Sequence, residues 1–282
     1  MPELPEVETV RRILVQQVVG KKIQDVVVNY NKMIKNVSPL EFASLLNGKT
    51  IKDIVRKGKY LIFVFDKLIM LSHLRMEGKY LLNPSKEFSP HDHVIFCFND
   101  GSQLRYNDTR KFGTMHIFKD ISINELQKIE PLNRVGLDPF DKEFNLDYLK
   151  KQIKNLNRSI KSVLLDQKIV SGLGNIYVDE TLFLSKIHPT SNVKFLTDDK
   201  LINLIRNMQI ILNKAIEYGG TTVKSFKASD EISGRFQNFL LIHTKSICPE
   251  CELPIKKIRV AGRGTYACGN CQENLNPVLV KD

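Results

Sequence analysis

Four of the chain's five cysteines are grouped near its end, in the stretch CPECELPIKKIRVAGRGTYACGNC. Cys248 and Cys251 form one CxxC pair, Cys268 and Cys271 form a second, and 16 residues separate the pairs. This spacing is typical of zinc ribbons, in which each CxxC turn directs two thiolates at one ion. The pattern therefore predicts two neighbouring hairpins around one structural Zn²⁺ that has four cysteine ligands and no open coordination position.

Two disulfides are the competing explanation for these four cysteines, and they would require an oxidising compartment. The chain begins MPELPEVETV, which lacks the charged start and apolar stretch of a signal peptide. No apolar run approaches the ~20 residues of a membrane span. We therefore expect a cytoplasmic chain with reduced thiols and no membrane segment, for which zinc is favoured. The fifth cysteine, Cys97 in HVIFCF, is expected to be a small buried core residue.

The charge balance narrows the choice of partner. Lysines and arginines number 42 against 31 acidic residues, which gives a formal net charge of +11. A basic surface favours a polyanionic partner, and nucleic acid is the obvious one, although a basic protein with no such partner is the alternative. The 282 residues, 42% of them hydrophobic, suffice for a sizeable core and for two domains.

The first half of the chain has the pattern of a helix followed by antiparallel strands. Apolar residues from Val7 to Val18 recur at helical spacing and stop at Gly20. Later runs rich in β-branched and aromatic residues are separated by Asp66-Lys67 and Asp100-Gly101, which predict hairpin turns. Because hairpins join antiparallel strands, these runs predict a sandwich or barrel.

From about residue 125 the apolar period becomes helical. Apolar residues fall at helical spacing over 146–163 and again over 201–215, where Gly219 closes the pattern. The turn-forming stretch NRVGLDPFDKEF lies between the two halves. The predicted fold class is α+β, an antiparallel β-sandwich with an N-terminal helix, then a helical domain and a zinc-bound β-hairpin. The predicted boundaries are 1–125 for the sandwich, 126–145 for the linker, 146–240 for the helical domain and 241–282 for the zinc finger.

Two features of the second half could bind phosphate, and a third stretch could form a loop or lid. Gly172 and Gly174 precede Asn175 at the apparent start of a helix, where backbone N–H groups can hold an anion, although such turns are common without a ligand. Arg263 lies between two glycines at the expected tip of a hairpin, so a zinc-braced hairpin would present it rigidly to a phosphate. The polar, glycine-bounded stretch 219–237 could be a solvated loop or a mobile lid.

Several separate motifs, in order along the chain, together resemble those of formamidopyrimidine-DNA glycosylases. They are PELPEVETVRR, RKGKYLIF, HLRMEGKY, HDHV, DTRKFG, GLGNIYVDE, GGTT and the cysteine hairpins. The resemblance implies an N-terminal β-sandwich, a helix-two-turn-helix domain with a lesion-recognition loop at 219–237, and a zinc hairpin. It also implies a monomer that binds damaged double-stranded DNA in the cleft between its domains. The implied reaction removes oxidised purines, mainly 8-oxoguanine opposite cytosine and formamidopyrimidines, and then cuts the strand by β,δ-elimination.

The resemblance assigns the chemistry to five residues. Pro2 corresponds to the nucleophile, whose amine becomes free once Met1 is removed and which forms an iminium (a Schiff base) with the sugar. Glu3 corresponds to the general acid, and Glu6 to a supporting carboxylate at the helix start. Lys59 and Arg263 correspond to residues assigned to the later elimination steps and to phosphate binding.

The resemblance also implies the DNA contacts. A glycosylase must flip the damaged nucleotide out of the duplex, and something must fill the gap. Met76 and Phe112 correspond to apolar wedges, and Arg110 contacts the orphaned cytosine. His91 and Asn175 correspond to residues that contact the DNA backbone. Periodicity alone favours a core methionine at 76 and a strand aromatic at 112.

Two alternative functions stay open at this point. One is an endonuclease VIII-like glycosylase for oxidised pyrimidines, whose members diverge in the PELPEVE and TRKFG segments that this chain retains. The other is a zinc-ribbon protein that binds DNA without catalysis. The segment KNLNRSIK departs from the lysine-rich run of many relatives, so either Lys154 or Arg158 could take over a DNA contact there.

Overall fold

The computed structural model describes residues 2–83, 88–221 and 234–277. The chain divides into two compact units. The first contains Met1–Asn133 and Ile216–Arg235, and the second contains Arg134–Ala215 and Phe236–Asp282. Within the described residues no helix is long and apolar enough to cross a membrane. Most of the predicted loop 219–237 lies outside the described residues, which include only its two ends.

The elements are numbered in chain order through both units. The helices are α1 (Leu4–Val18), α2 (Pro39–Leu46), α3 (Ile123–Leu126), α4 (Leu146–Ile153), α5 (Ile160–Leu164), α6 (Asn175–Leu184) and α7 (Asp198–Glu217). The strands are β1 (Ile23–Val28), β2 (Asp53–Lys57), β3 (Tyr60–Phe65), β4 (Leu68–His73), β5 (Lys79–Leu82), β6 (Asp92–Phe98), β7 (Gln103–Asn107), β8 (Thr114–Lys119), β9 (Lys256–Val260) and β10 (Arg263–Ala267).

Two four-stranded antiparallel sheets form the first unit. Their strand orders are β1-β6-β7-β5 and β2-β3-β4-β8. Apolar side chains from both sheets and from α1 form one buried cluster, in which Phe42, Phe63 and Phe98 are among the largest members. The predicted turns are confirmed, because Asp66-Lys67 joins β3 to β4 and Asp100-Gly101 lies between β6 and β7. Burying one face of each sheet accounts for the sandwich.

Helix α1 positions the N-terminus of the chain against one sheet. Val7, Val10, Leu14 and Val18 are fully buried at helical spacing, and α1 packs against β2 and β3. Gly20 has a φ of +85°, a left-handed conformation that favours glycine and ends the helical path. The buried stripe therefore fixes the direction in which the first residues approach β2 and β3.

Three local features differ from the sequence expectations. Helix α2 was not predicted, although Ser38 caps it by accepting from the backbone N–H of Glu41 at 3.1 Å. The pattern over 146–163 is divided into α4 and α5, because Ser159 caps a new helix. Cys97 is half-buried rather than buried, because it lies on the face of β6 opposite the core residues Phe96 and Phe98.

The second unit contains the short helices α4, α5 and α6, most of the 20-residue helix α7, and the paired strands β9 and β10. Helix α6 begins at Asn175, as the glycine pattern predicted, and α7 spans the predicted apolar period over 201–215. A separate buried cluster contains Phe183 from α6 together with Ile242, Cys248 and Cys268. Helix α6 thereby packs against the cysteine segment.

Candidate active site

Pro2 is buried directly ahead of α1, beside two buried carboxylates. Glu3 and Glu6 each have only 3% of their surface exposed. The backbone N–H of Glu3 donates to Oε2 of Glu6 at 2.8 Å, which closes the first turn of the helix. A helix N-terminus attracts negative charge, so the helix favours carboxylates at this point. The structure thus brings together three of the residues predicted to be catalytic.

The second oxygen of Glu6 binds another segment of the first unit. Oε1 accepts from the backbone N–H of Thr221 at 2.7 Å and from its hydroxyl at 3.1 Å. Gly220 has a φ of +77°, and a Cβ there would lie 2.6 Å from this oxygen. Glu6 therefore links the start of α1 to the residues that enter the predicted loop 219–237. These hydrogen bonds suit a positioning carboxylate better than a group that must exchange a proton.

Lys59 lies in the tight turn between β2 and β3, the two strands on which α1 packs. It is 6% exposed, and Gly58 beside it has a φ of +54°. The guanidinium of Arg56 donates to the carbonyl of Gly58 at 2.9 Å and to Glu8 of α1 at 3.2 Å. This chain of contacts holds the turn, and Lys59 with it, against the helix that carries Pro2.

Glu8 stays ionised at this junction. Burial raises the pKa of its carboxyl, but hydrogen bonds from Arg11 and Arg12 outweigh burial and lower the pKa to about 2. The carboxylate can therefore hold Arg56 at any pH near neutrality. Sequence reasoning missed both Glu8 and Arg56. The spacing of Glu8 to Arg11 and Arg12 was a visible local signal, whereas the contact with Arg56 is long-range.

Met76 and Phe112 lie on turns of the first unit and not in its core. Met76 is 36% exposed in the turn between β4 and β5, and Phe112 is 50% exposed between β7 and β8. The guanidinium carbon of Arg110 lies 4.7 Å from the centroid of the Phe112 ring. The alternative expectation of a core methionine and a strand aromatic is therefore wrong. Apolar side chains held at turn tips suit contact with another molecule.

His73 supports the turn that carries Met76. Its Nδ1 accepts from the backbone N–H of Arg75 at 2.9 Å, and Arg75 has a φ of +56°. Burial, followed by the charges of Arg75 and Lys59, lowers the pKa of His73 to about 3. The ring is therefore neutral near pH 7, which keeps the Nδ1 lone pair available for this bond. His91 lies in the turn before β6, where its carbonyl accepts from the backbone N–H of Asp108 at 3.0 Å.

Asn175 and Arg263 are neighbours in the second unit. Asn175 is the first residue of α6, and its Nδ2 donates to the carbonyl of Gly264 at 2.9 Å. Arg263 is exposed at the start of β10, after a turn in which Ala261 and Gly262 have positive φ. The structure thus brings together two of the predicted phosphate-binding residues, one at a helix start and one at a hairpin tip.

The four grouped cysteines form a candidate metal centre in the same unit. Their Sγ atoms all lie within 4.8 Å of one another, with 3.8 Å between Cys248 and Cys271 and 3.5 Å between Cys251 and Cys268. Tetrahedral Zn–S bonds of about 2.3 Å place neighbouring sulfurs about 3.8 Å apart. The donor set and spacing fit one zinc ion.

We expect one equivalent of zinc per chain in protein purified under reducing conditions, measured by elemental analysis. Chelation should unfold the hairpin that carries Arg263, because such a site couples metal binding to folding. The Cys97→Ser variant is the matched control, since Cys97 lies outside the cluster and its loss should leave the zinc content unchanged. Metal-free protein with an intact hairpin would contradict this assignment.

Three family models match successive parts of the chain. The formamidopyrimidine-DNA glycosylase N-terminal domain matches residues 1–115, and the H2TH domain of the same enzymes matches residues 135–227. A zinc finger found in FPG and IleRS matches residues 247–274. Together with the sulfur geometry, this last match confirms the prediction of a four-cysteine zinc site.

Relatives that align over nearly their whole length are formamidopyrimidine-DNA glycosylases. The formamidopyrimidine-DNA glycosylase of Bacillus licheniformis is 50% identical over 277 residues, which cover 97% of this chain and 100% of the relative. That of Bacillus subtilis is 47% identical over 276 residues, covering 96% and 99%. Both alignments thus include the N-terminal sandwich, the helical region and the zinc hairpin.

Solved structures show the same fold. A Lactococcus lactis FPG mutant in complex with a Fapy-dG containing DNA aligns with a TM-score of 0.88 and 40% identity, over 96% of this chain and 100% of the other. A complex between Lactococcus lactis Fpg and an abasic site containing DNA aligns with a TM-score of 0.87 and 39% identity, over 96% and 99%. The predicted α+β fold is confirmed. From its motifs, its fold and its end-to-end similarity to these proteins, the chain belongs to the formamidopyrimidine-DNA glycosylase family.

Proposed function

We propose that this protein is a base-excision-repair enzyme that removes oxidised purines from double-stranded DNA and then cuts the strand at the resulting abasic site. Membership of the family over the whole chain supports the reaction class. The lesion and the abasic site in the Lactococcus lactis complexes are of the kinds expected for substrate and intermediate. The favoured substrates are 8-oxoguanine opposite cytosine and formamidopyrimidines. Because its proposed substrate is DNA, we expect the protein in the bacterial cytoplasm, at the nucleoid.

The observation that carries the proposed mechanism is the buried pair Pro2 and Glu3 directly ahead of α1. Once Met1 is removed, Pro2 has a free secondary amine. An α-amino group has a pKa of about 7.7–8.0, whereas a lysine has about 10.4, so an appreciable fraction of the amine is unprotonated near neutrality. Pro2 is therefore suited to act as a nucleophile without strong tuning of its pKa.

The first chemical step exchanges one bond to the sugar for another. The nitrogen of Pro2 attacks the anomeric carbon of the flipped nucleotide, and the bond from that carbon to the base breaks. The base leaves with the bonding electron pair and takes up the proton that the amine loses. Glu3 donates a proton to the ring oxygen as the sugar opens, so that the anomeric carbon and Pro2 become an iminium. Glu6, whose oxygens hold the backbone at Glu3 and Thr221, keeps the nucleophile and the acid in place.

The later steps cut the strand. The iminium acidifies the neighbouring carbon of the sugar, so loss of a proton there expels the 3′ phosphate, and a second elimination expels the 5′ phosphate. Lys59 and Arg263 are assigned to these steps and to binding the phosphates that leave. The turn held by Arg56 keeps Lys59 beside the helix that carries Pro2. The four cysteines hold zinc for a structural purpose, and none of the steps uses the metal.

The DNA contacts are proposals for Met76, Arg110, Phe112, His91 and Asn175. The exposed positions of Met76 and Phe112 at turn tips support insertion into the gap left by the flipped base. Arg110, stacked on Phe112, offers hydrogen-bond donors to the orphaned cytosine. His91 and Asn175 are assigned to the phosphate backbone.

We expect Phe112→Ala to slow the excision of 8-oxoguanine more than it weakens binding to undamaged DNA, because a wedge acts only once the base leaves the stack. Arg110→Ala should behave in the same way. The exposed Phe195 of the second unit offers a matched control, and Phe195→Ala should change neither quantity. Single-turnover excision and equilibrium binding, measured side by side, test this. Equal losses in both would make Phe112 an ordinary binding residue.

A cleavage assay on defined duplexes tests the proposed function. A duplex with 8-oxoguanine opposite cytosine should be cut to products bearing phosphate at both ends of a one-nucleotide gap, whereas the undamaged duplex should stay intact. A duplex with an oxidised pyrimidine should be cut more slowly. Preference for the oxidised pyrimidine would support the endonuclease VIII-like alternative, and binding without any product would support the non-catalytic one.

A further inference from the structure

One buried tyrosine separates the two turns that carry the proposed wedges, residues 74–78 and 108–113, which we call the wedge loops. Tyr106 is fully buried, and its hydroxyl has no hydrogen-bond partner within the described residues. A Cβ on Gly78 would lie 2.0 Å from this oxygen, and one on Gly113 would lie 1.9 Å from it. The hydroxyl therefore fits between the two glycine backbones. Neither position accepts a side chain while Tyr106 keeps its place.

Asp108 fixes the path of the second wedge loop. Its carboxylate is fully buried, and Oδ1 accepts from the backbone N–H of Arg110 at 3.0 Å. Oδ2 accepts from the backbone N–H groups of Phe112 at 2.9 Å and of Gly113 at 2.8 Å. Lys111, between them, has a φ of +59°, a conformation that needs such support. One side chain thus satisfies three backbone donors of the loop.

Further hydrogen bonds connect the second wedge loop to its neighbours. The Thr109 hydroxyl donates to the carboxylate of Glu77 and so links the two wedge loops. The backbone N–H of Asp108 donates to the carbonyl of His91 at 3.0 Å, and Nε2 of His93 donates to the carbonyl of Asp108 at 2.8 Å. The turn that carries His91 is therefore bound to the same residue.

We infer that Tyr106 and Asp108 are positioning residues that hold the two wedge loops and the His91 turn as one preformed unit. Neither is assigned a contact with DNA, and both act through the residues proposed to enter the duplex. The inference rests on the proposed function, because the wedge roles of Met76 and Phe112 are themselves proposals. Because this unit is already ordered before the base is flipped, no free energy is spent on ordering it during that step. The free-energy cost of base flipping is therefore lower.

Gly113→Ala and Tyr106→Phe test the steric part of this inference. We expect Gly113→Ala to slow base unstacking and 8-oxoguanine excision by about 100-fold, because its new methyl group displaces a wedge loop. Tyr106→Phe removes the hydroxyl that fits between the two glycine backbones, so it should also slow unstacking, but less than Gly113→Ala does. In the double variant the contact with the hydroxyl is gone, and the methyl group meets the ring carbon Cζ at 2.7 Å. The double variant should therefore recover part of the lost rate.

Stopped-flow fluorescence of 2-aminopurine beside the lesion measures unstacking directly, and single-turnover excision is measured in parallel. Tyr80→Phe is the matched control, because it removes a buried hydroxyl that donates to Ser72 at 2.7 Å but keeps the ring that packs against Tyr106, with 5.1 Å between the ring centroids. It should lower stability without changing the unstacking rate. If Gly113→Ala does not fold, the unstacking rates of Thr109→Val and Thr109→Ser are compared instead. Only Thr109→Val loses the hydrogen bond to Glu77 that links the two wedge loops. The valine variant alone should then slow unstacking.

Borohydride trapping at a pre-formed abasic site separates this inference from the proposed function. Every folded variant should still trap on its N-terminal peptide, because Pro2 is untouched. Wild-type protein that does not trap would contradict the proposed function. Wild-type trapping, combined with Gly113→Ala unstacking at the wild-type rate or with no recovery in the double variant, would overturn the inference about the wedge loops alone.

Discussion

Protein with a blocked N-terminus is expected to lose both base excision and strand cutting, with rates at least ~10³-fold below those of the free form, as for loss of a catalytic nucleophile. Retained Met1 places the nitrogen of Pro2 in an amide, and acetylation of Pro2 does the same. An amide nitrogen has no available lone pair, so it cannot attack the anomeric carbon. Binding to undamaged DNA should change little, because it depends on phosphate contacts elsewhere.

A cleavable N-terminal extension gives the matched control for the blocked form. One preparation is assayed before and after a protease removes the extension and exposes Pro2, so the two samples differ only at the terminus. Intact mass establishes which form is present. Activity should appear on cleavage, and an extended form as active as the cleaved one would exclude Pro2 as the nucleophile.

Glu3→Gln should lose base excision by about 10²–10⁴-fold, the usual contribution of a general acid. The amide keeps the size of the side chain but has no proton to donate to the ring oxygen. At a pre-formed abasic site no base has to leave, so strand cutting there should be much less affected. Parallel assays on 8-oxoguanine and abasic duplexes measure this separation.

Glu6→Gln is the comparison for that variant, because both carboxylates are buried at the same helix start. Glu6 accepts hydrogen bonds from Glu3 and Thr221, so its loss should affect both substrates to a similar degree and lower the melting temperature. If Glu3→Gln slows both substrates equally, Glu3 is a positioning residue and the proton comes from another group.

Local patterns were enough to predict the parts of the fold that depend on local physics. The CxxC spacing predicted the sulfur cluster, and Asp66-Lys67 predicted a hairpin, because turn chemistry and ligand geometry are set within a few residues. Helix α2 was missed although Ser38 and Pro39 are a local start signal. The division between α4 and α5 was missed because the apolar period continues across the break.

Local patterns could not predict the residues that support the candidate site. Glu8 and Arg56 meet across 48 positions of sequence, and only the packing of α1 on β2 brings them together. Tyr106 looks like an ordinary strand residue, yet its hydroxyl leaves no room for a side chain at two glycines that lie in different loops. Pro2 and Glu3 were assigned by resemblance and not by spacing. Burial and long-range pairing are properties of the folded chain, so no single segment contains them.

Borohydride trapping with peptide mapping identifies the amine that becomes bonded to the sugar. Free-terminus protein is mixed with duplex DNA containing 8-oxoguanine opposite cytosine, and borohydride reduces any iminium to a stable amine. We expect a covalent complex in which the cross-link maps to Pro2, and no adduct with undamaged DNA. A cross-link on a lysine such as Lys59, or equal trapping by the blocked form, would contradict the proposed mechanism.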